Sequence, residues 1–184
     1  MTVPPPHPVP SDLAFRPLDS DDHARACAEI MSTTDPWLSL GRTFEESYRI
    51  VCDPAREVYV ALENTNGTES SVAGFTIVVM QGAFVGYIQT VAVRADRRGR
   101  GLGTALIAFA ERRILREQPN VFICVSSFNP GARRLYERLG YQVVGELTDY
   151  FVRGHSEILL RKTTGPLAEH DRRSERSEES RSSR

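Results

Sequence analysis

The stretch Val91-Ala-Val-Arg-Ala-Asp-Arg-Arg-Gly-Arg-Gly-Leu-Gly-Thr104 decides the fold of this chain. An apolar run ending at Val91–Val93 passes through glycines into a helical pattern that carries Leu102, Ala105, Leu106 and Phe109 on one face. A strand is thereby joined to a helix N-terminus. The first-turn amides of a helix have no internal partner and sit at the positive end of its dipole, so they suit an anion. Glycines let the backbone approach closely and adopt conformations that a side chain forbids. Arg97, Arg98 and Arg100 add charge-assisted donors of the kind that suit phosphate. The junction reads as a binder of a phosphorylated cofactor, with Arg98, Gly99, Arg100, Gly101, Leu102, Gly103 and Thr104 around the phosphate.

Two familiar phosphate motifs do not fit. A dinucleotide fingerprint needs a third glycine where Thr104 stands, and a Walker A loop needs a Gly-Lys-Ser/Thr ending that is missing. What fits is Arg-x-x-Gly-x-Gly (Arg98, Gly101, Gly103) after a Val-x-Val strand. A second block follows after one strand, Asn129-Pro-Gly-Ala-Arg-Arg-Leu-Tyr-Glu-Arg-Leu-Gly-Tyr141. Together, over about Leu13 to Lys162, these blocks resemble the GNAT superfamily of acyl-CoA-dependent N-acyltransferases. The resemblance implies an α/β (α+β) fold in which helices cover both faces of a mixed, splayed sheet. It also implies acetyl-CoA as cosubstrate, lying along Val91, Ala92 and Val93 with its pyrophosphate at Gly99–Thr104. Asn129 would contact the pantetheine arm and Tyr136 would give a proton to the departing CoA thiolate. Asn129 and Tyr136 are seven residues apart, two helical turns, and so share a face.

The chemistry needs a base as well. An attacking ammonium must lose a proton, and a carboxylate or a water chain usually takes it. In relatives that acetylate the N-terminal alanine of a ribosomal protein, a Glu lies five residues before the pantetheine Asn. Here that position is Cys124, which reads as a small core residue inside an apolar strand. The candidates are Asp149, His155 and Glu157, with Gln89 orienting a water. Trp37, Tyr150, Phe151 and Tyr87 would wall the amine site. The acceptor is a small-molecule or peptide amine. A non-catalytic acyl-CoA-binding module is the rival, supported by Cys124 and opposed by an intact Tyr136. A nucleic-acid binder ranks lower, because neither a basic stripe nor an aromatic reading face accompanies the local arginines.

Composition agrees with a soluble single domain. The 184 residues are 40% hydrophobic and 26% charged, with net charge −1, which gives no general attraction to nucleic acid or an anionic membrane. Three cysteines without paired spacing point to a reducing, cytoplasmic compartment. The N-terminus lacks the basic and apolar regions of a secretory signal, and no stretch reaches transmembrane length. No metal site is expected, and no heptad pattern decides between monomer and homodimer. Residues 1–11 are Pro-rich and 163–184 are Ser, Arg and Glu, so both are expected to be disordered around a domain at 12–162.

Within that domain, Leu13–Leu18 reads as a strand. Ser20 caps a helix whose stripe is Cys27, Ile30 and Met31, and Thr43 with Glu46 forms a capping box for a helix to about Val51. Glu57–Leu62, Val72–Met80 and Phe84–Val93 read as strands, with a turn at Asn64–Ser70 and a connection at Gln81–Ala83. A helix over Gly101–Arg116 would be roughly 24 Å long. A buried strand at Val121–Ser126 precedes a helix capped by Asn129, opened by Pro130 and ended by Gly140. Tyr141–Gly145 and Asp149–Arg161 complete the order βααβββαβαββ.

Overall fold

The computed structural model describes residues 13–63 and 71–170. The Pro-rich N-terminus, the turn expected at Asn64–Ser70 and residues 171–184 of the charged tail lie outside them. The element order is β1 (Leu13–Pro17), α1 (Asp21–Ser32), α2 (Phe44–Val51), β2 (Glu57–Glu63), β3 (Val72–Val79), β4 (Tyr87–Val93), α3 (Leu102–Ile114), β5 (Asn120–Ser126), α4 (Pro130–Arg138), β6 (Gln142–Leu147) and β7 (Glu157–Thr163). It is the order read from the sequence.

Helix boundaries follow local chemistry. Ser20 accepts from the His23 amide, and Thr43 and Glu46 form both bonds of the capping box. Asn129 Oδ1 accepts from Ala132 N at 3.1 Å, with Pro130 in the first helical position. Each device supplies an acceptor for an amide that the helix itself leaves unpaired. Two strand limits differ from expectation by more than two residues. β4 begins at Tyr87, not Phe84, because Gly82 (φ +90°) and Gly86 (φ +85°) bend the chain between Val79 and Tyr87. The last strand begins at Glu157, not Asp149, because Asp149 (φ +51°) and Gly154 (φ +85°) turn the preceding segment.

Seven strands form one sheet in the order β1-β2-β3-β4-β5-β7-β6. Every neighbouring pair is antiparallel except β4 and β5. On one face α1 buries Cys27, Ile30 and Met31 against Val60, Phe75 and Ile77. On the other, Leu102 and Leu106 of α3 meet Ala61 and Ala73. Tyr136 of α4 joins Ile107, Ala110 and Ile114 of α3 in a third cluster over Ile123 and Val125. The two faces therefore carry different helices, and burial of their apolar stripes drives the association.

β4 and β5 are parallel partners only at Tyr87–Phe122 and Ile88–Ile123, after which the strands separate. On its other edge β4 stays paired with β3 as far as Val93–Gly74, with a register shift that leaves Gln89 as the extra residue. A cleft therefore opens in the middle of the sheet, beside the backbone of Gln89–Val93.

Gly86 holds the mouth of this arrangement. A Cβ there would lie 2.5 Å from the Asn120 carbonyl oxygen and 2.6 Å from Ile114 Cγ2, at a φ that side chains avoid. Gly86→Ala is expected to destabilise the fold by about 3 kcal/mol, combining the left-handed backbone with overpacking. Gly82→Ala, with a similar φ (+90°) but open space, should lose only about 1 kcal/mol. Urea denaturation of the two variants reads the difference; equal losses would mean that the Asn120 contact yields freely.

Candidate active site

Two cavities meet at the cleft. One, of about 400 Å³, runs beside Val91, Ala92 and Val93 to Arg98, Gly99, Gly101, Gly103 and Thr104, and includes Asn129's neighbour Ala132 and Tyr136. The other, of about 300 Å³, is enclosed by the loop carrying Trp37, by Tyr87 and Gln89 of β4, by Cys124 and Ser126 of β5, and by Glu157. Asp35, Trp37, Val91, Ala132 and Tyr136 line both. Tyr136 thus stands at their junction. A larger cavity of about 730 Å³ lies over α1, among Arg16, His23, Glu29 and Arg94, and contains none of the cleft's proton-carrying groups.

The glycine loop is shaped for an anion. Gly101 precedes α3 at φ +82°, and no side chain caps that helix. Gly99 has φ +73°, and a Cβ placed on either glycine would meet nothing within 4 Å. The conformation favours glycine while the space outside stays open. The uncapped amides at the positive helix end face that space.

The arginines divide their labour. Arg97 is ion-paired to the buried Glu63 of β2, and Arg94 Nη2 reaches the same carboxylate at 3.0 Å. Burial works against the charge of Glu63, but the bonds from Arg97, Arg94 and Ser71 outweigh it and hold the carboxyl below its ordinary range. Arg98 Nε bonds the Val93 carbonyl at 3.1 Å. Glu63 therefore ties the glycine loop to the sheet, and Arg98 ties it to β4. Sequence reasoning missed Glu63, because nothing local marks a partner that a strand pairing brings in. Arg100 is exposed and does not line the groove, and Leu102 is buried against Ala61 and Ala73.

Of the candidate bases only Glu157 lines the cavity. Asp149 is exposed and accepts from the Gly154 amide at 2.5 Å. His155 is exposed with its ring on Phe128, centroids 5.0 Å apart. Glu157 is 6% exposed, and Ser126 Oγ donates to its Oε1 at 2.5 Å. Burial raises its carboxyl above the ordinary range, against the lowering effect of the Ser126 bond. Ser126 and Glu157 are cross-strand partners, and Cys124 lies two residues along the same face of β5. Glu157 thus brings a carboxylate beside Cys124 from the neighbouring strand. Gln89 also lines the cavity, with its Oε1 buried and without a hydrogen-bond partner.

The remaining groups are protonated. Burial, with Cys124 and Glu157 adding to it, pushes the Tyr136 phenol up to about 12. Burial likewise raises Tyr87 strongly, and it raises the Cys124 thiol despite the Tyr87 hydroxyl beside it. Cys124 is therefore a thiol rather than a thiolate nucleophile. Trp37 packs against the α1 core and lines both cavities, while Tyr150 and Phe151 form the outer wall. Among the described residues no His/Cys/Asp/Glu cluster could hold a metal ion, and no helix is long and apolar enough to cross a membrane.

Solved structures share this architecture. A GNAT-family protein from Desulfovibrio desulfuricans is 20% identical, with a TM-score of 0.68 over 83% of this chain and 99% of its own. NAA60 from Arabidopsis thaliana, solved with a bisubstrate analogue, is 20% identical with a TM-score of 0.66 over 83% and 99%. An aminoglycoside 6'-N-acetyltransferase complexed with coenzyme A is 18% identical with a TM-score of 0.65 over 83% and 98%. At such identities the likeness establishes the fold. No curated protein matches the chain. The acetyltransferase (GNAT) family model matches residues 24–141, the span that contains β4, β5, the glycine loop and Tyr136, while Tyr150, Phe151 and Glu157 of the cleft lie beyond it. By that match and by its splayed seven-stranded sheet, the chain belongs to the GNAT acetyltransferase family.

Proposed function

We propose that this protein transfers an acetyl group from acetyl-CoA to a primary amine held in the cavity beside Glu157. Family membership makes the chain an acyl-CoA-dependent N-acyltransferase with acetyl-CoA as its cosubstrate. The observation that carries the proposal is the position of Tyr136, where the groove beside β4 and the glycine loop meets the cavity lined by Glu157. When bound, acetyl-CoA supplies an activated acyl carbonyl and a sulfur leaving group.

The chain's own residues supply the rest. The amides of Gly99–Thr104, freed by the uncapped start of α3, hold the pyrophosphate, and Arg98 adds positive charge. The unpaired edge of β4 at Gln89–Val93 offers backbone hydrogen bonds to an extended amide chain, and Asn129 lines the adjoining cavity. Glu157 takes the proton of the incoming ammonium, and Ser126 orients its carboxylate. Tyr136 keeps its proton well above neutral pH and gives it to the departing sulfur. Transfer is direct, and the burial-raised thiol of Cys124 favours no covalent route through the protein. The three cysteines are free, in keeping with a reducing, cytoplasmic compartment.

The acceptor is not a property of the fold. Structurally similar proteins include a spermidine N-acetyltransferase, an aminoglycoside 6'-N-acetyltransferase and a complex bound to a peptide and CoA. A non-catalytic acyl-CoA binder has less support, because such a protein needs neither a protonated phenol nor a buried carboxylate at the junction.

Calorimetric titration with acetyl-CoA, followed by thiol release with a panel of amines and N-terminal peptides, tests the proposal. Binding with amine-dependent thiol release is the expected result, and no binding would remove the cofactor assignment. Tyr136→Phe is expected to lower kcat about tenfold to a hundredfold with acetyl-CoA affinity retained. The effect sits at the modest end for proton transfer because a thiol of pKa about 8.5 already leaves readily. A variant with full kcat would take Tyr136 out of the mechanism.

A further inference from the structure

Arg42 has a buried guanidinium nitrogen without a hydrogen-bond acceptor. Among the described residues Arg94, Arg97 and Arg113 are each ion-paired, whereas no ion pair or side-chain hydrogen bond includes Arg42. Its Nε is buried with no acceptor, and the residue lines the cavity beside Leu40, Ile50 and Trp37. Glu46 acts on Arg42 through space without bonding it, and the hydrogen bonds of the nearby carboxylates go to other groups. Glu46 accepts the Thr43 amide at 2.9 Å, and Asp35 accepts both the Ser39 amide at 3.2 Å and its hydroxyl at 2.6 Å. A guanidinium N–H withdrawn from water without an acceptor is an unmet demand, and a planar carboxylate meets it better than any neutral group.

The position of this cation matters as much as its charge. Arg42 stands at the start of α2, on the loop that covers the cleft, whereas Glu157 enters from the sheet at β7. One small cavity of about 300 Å³ thus offers an acid for an ammonium and a free fork for an anion, with apolar side chains next to the fork. A polyamine or other polycation would leave Arg42 unpaired and repelled. We propose that the acceptor is an amino acid with an apolar side chain, its amine directed to Glu157 and its carboxylate received by Arg42. The inference rests on the acyltransferase reading of the same cavity.

The test compares leucine, methionine and phenylalanine with their decarboxylated amines and their amides, in both thiol release and calorimetric binding to the CoA-loaded protein. The acids are expected to bind and react better than either counterpart. Arg42→Ala should lower the preference for acid over amine roughly 10- to 100-fold, and Arg42→Lys should restore part of it as a charge without the fork. Acetyl-CoA titration of each variant reports that the fold and the cofactor groove are intact. Equal or better binding of the amines or amides by the wild type would overturn the inference, the amides standing for a peptide N-terminus. So would an Arg42→Ala variant that keeps its preference. Acetyl-CoA binding distinguishes the two failures: if it persists, only the acceptor class is wrong, and if it is absent, the acyltransferase reading falls with it.

Discussion

Gly101→Glu is expected to abolish measurable acetyl-CoA binding while leaving a folded protein. Gly101 sits at φ +82° immediately before α3, with no atom within 4 Å of an added Cβ. The fold therefore loses only the left-handed backbone preference, about 1–2 kcal/mol. The cofactor loses far more. The substituted carboxylate stands at the mouth of the uncapped helix, where it competes for the same amides and repels a pyrophosphate. Losing one or two charge-assisted bonds and adding a like charge amounts to about 3–5 kcal/mol, or a 10²- to 10³-fold or greater loss of affinity. Gly101→Ala separates the two effects, since it brings the backbone strain without the charge and should bind acetyl-CoA within about tenfold of the wild type. Calorimetry on both variants, with thermal unfolding as the control, reads the result. Wild-type affinity in the glutamate variant would mean that the pyrophosphate lies elsewhere.

The second large effect concerns pH. Burial lifts the Glu157 carboxyl above its ordinary range, so it holds its proton to a higher pH than an exposed glutamate does. Only the ionised form accepts a proton. The rate should therefore fall as pH drops through that raised value, giving an acid limb displaced upward from about 4.3. Glu157→Gln keeps an oxygen to accept the Ser126 hydroxyl but cannot take a proton, so the fold should survive. It is expected to lower kcat/KM about 10²- to 10³-fold near neutral pH and to erase that limb. A limb that persists in the variant belongs to the amine itself. Full activity in Glu157→Gln would shift proton acceptance to a water chain past Gln89, whose buried Oε1 faces the same cavity.

Much of this arrangement is legible in the chain because its causes are local. Ser20, the Thr43–Glu46 box and the Asn129–Pro130 pair each meet amides within three residues, so helix starts can be read from neighbours in sequence. The glycine junction after Val93 is equally local, since a strand, two left-handed glycines and an uncapped helix follow one another directly. The ends of β4 and β7 were less legible. Phe84 and Val85 look like strand residues, and so do Tyr150 and Phe151. Positive-φ backbone at Gly86, Asp149 and Gly154 breaks the extended run there whatever the propensity of the side chains.

The sequence by itself determined the order of elements, the family, the glycine junction before α3 and the place of Tyr136 on α4. Each depends on spacing within a few turns or on residues adjacent in the chain. Only the tertiary structure decided which candidate acid lines the cavity. Asp149, His155 and Glu157 are nearly equivalent in sequence, and the β5–β7 register alone sets Glu157 against Ser126 from 31 residues away. It also decided that Glu63 holds Arg97 and that Arg42 Nε is buried without an acceptor, because pairing is settled by which groups the folded chain brings within reach. Local patterns report what a residue favours for itself; the chemistry of the cleft comes from residues that meet only after the sheet has formed.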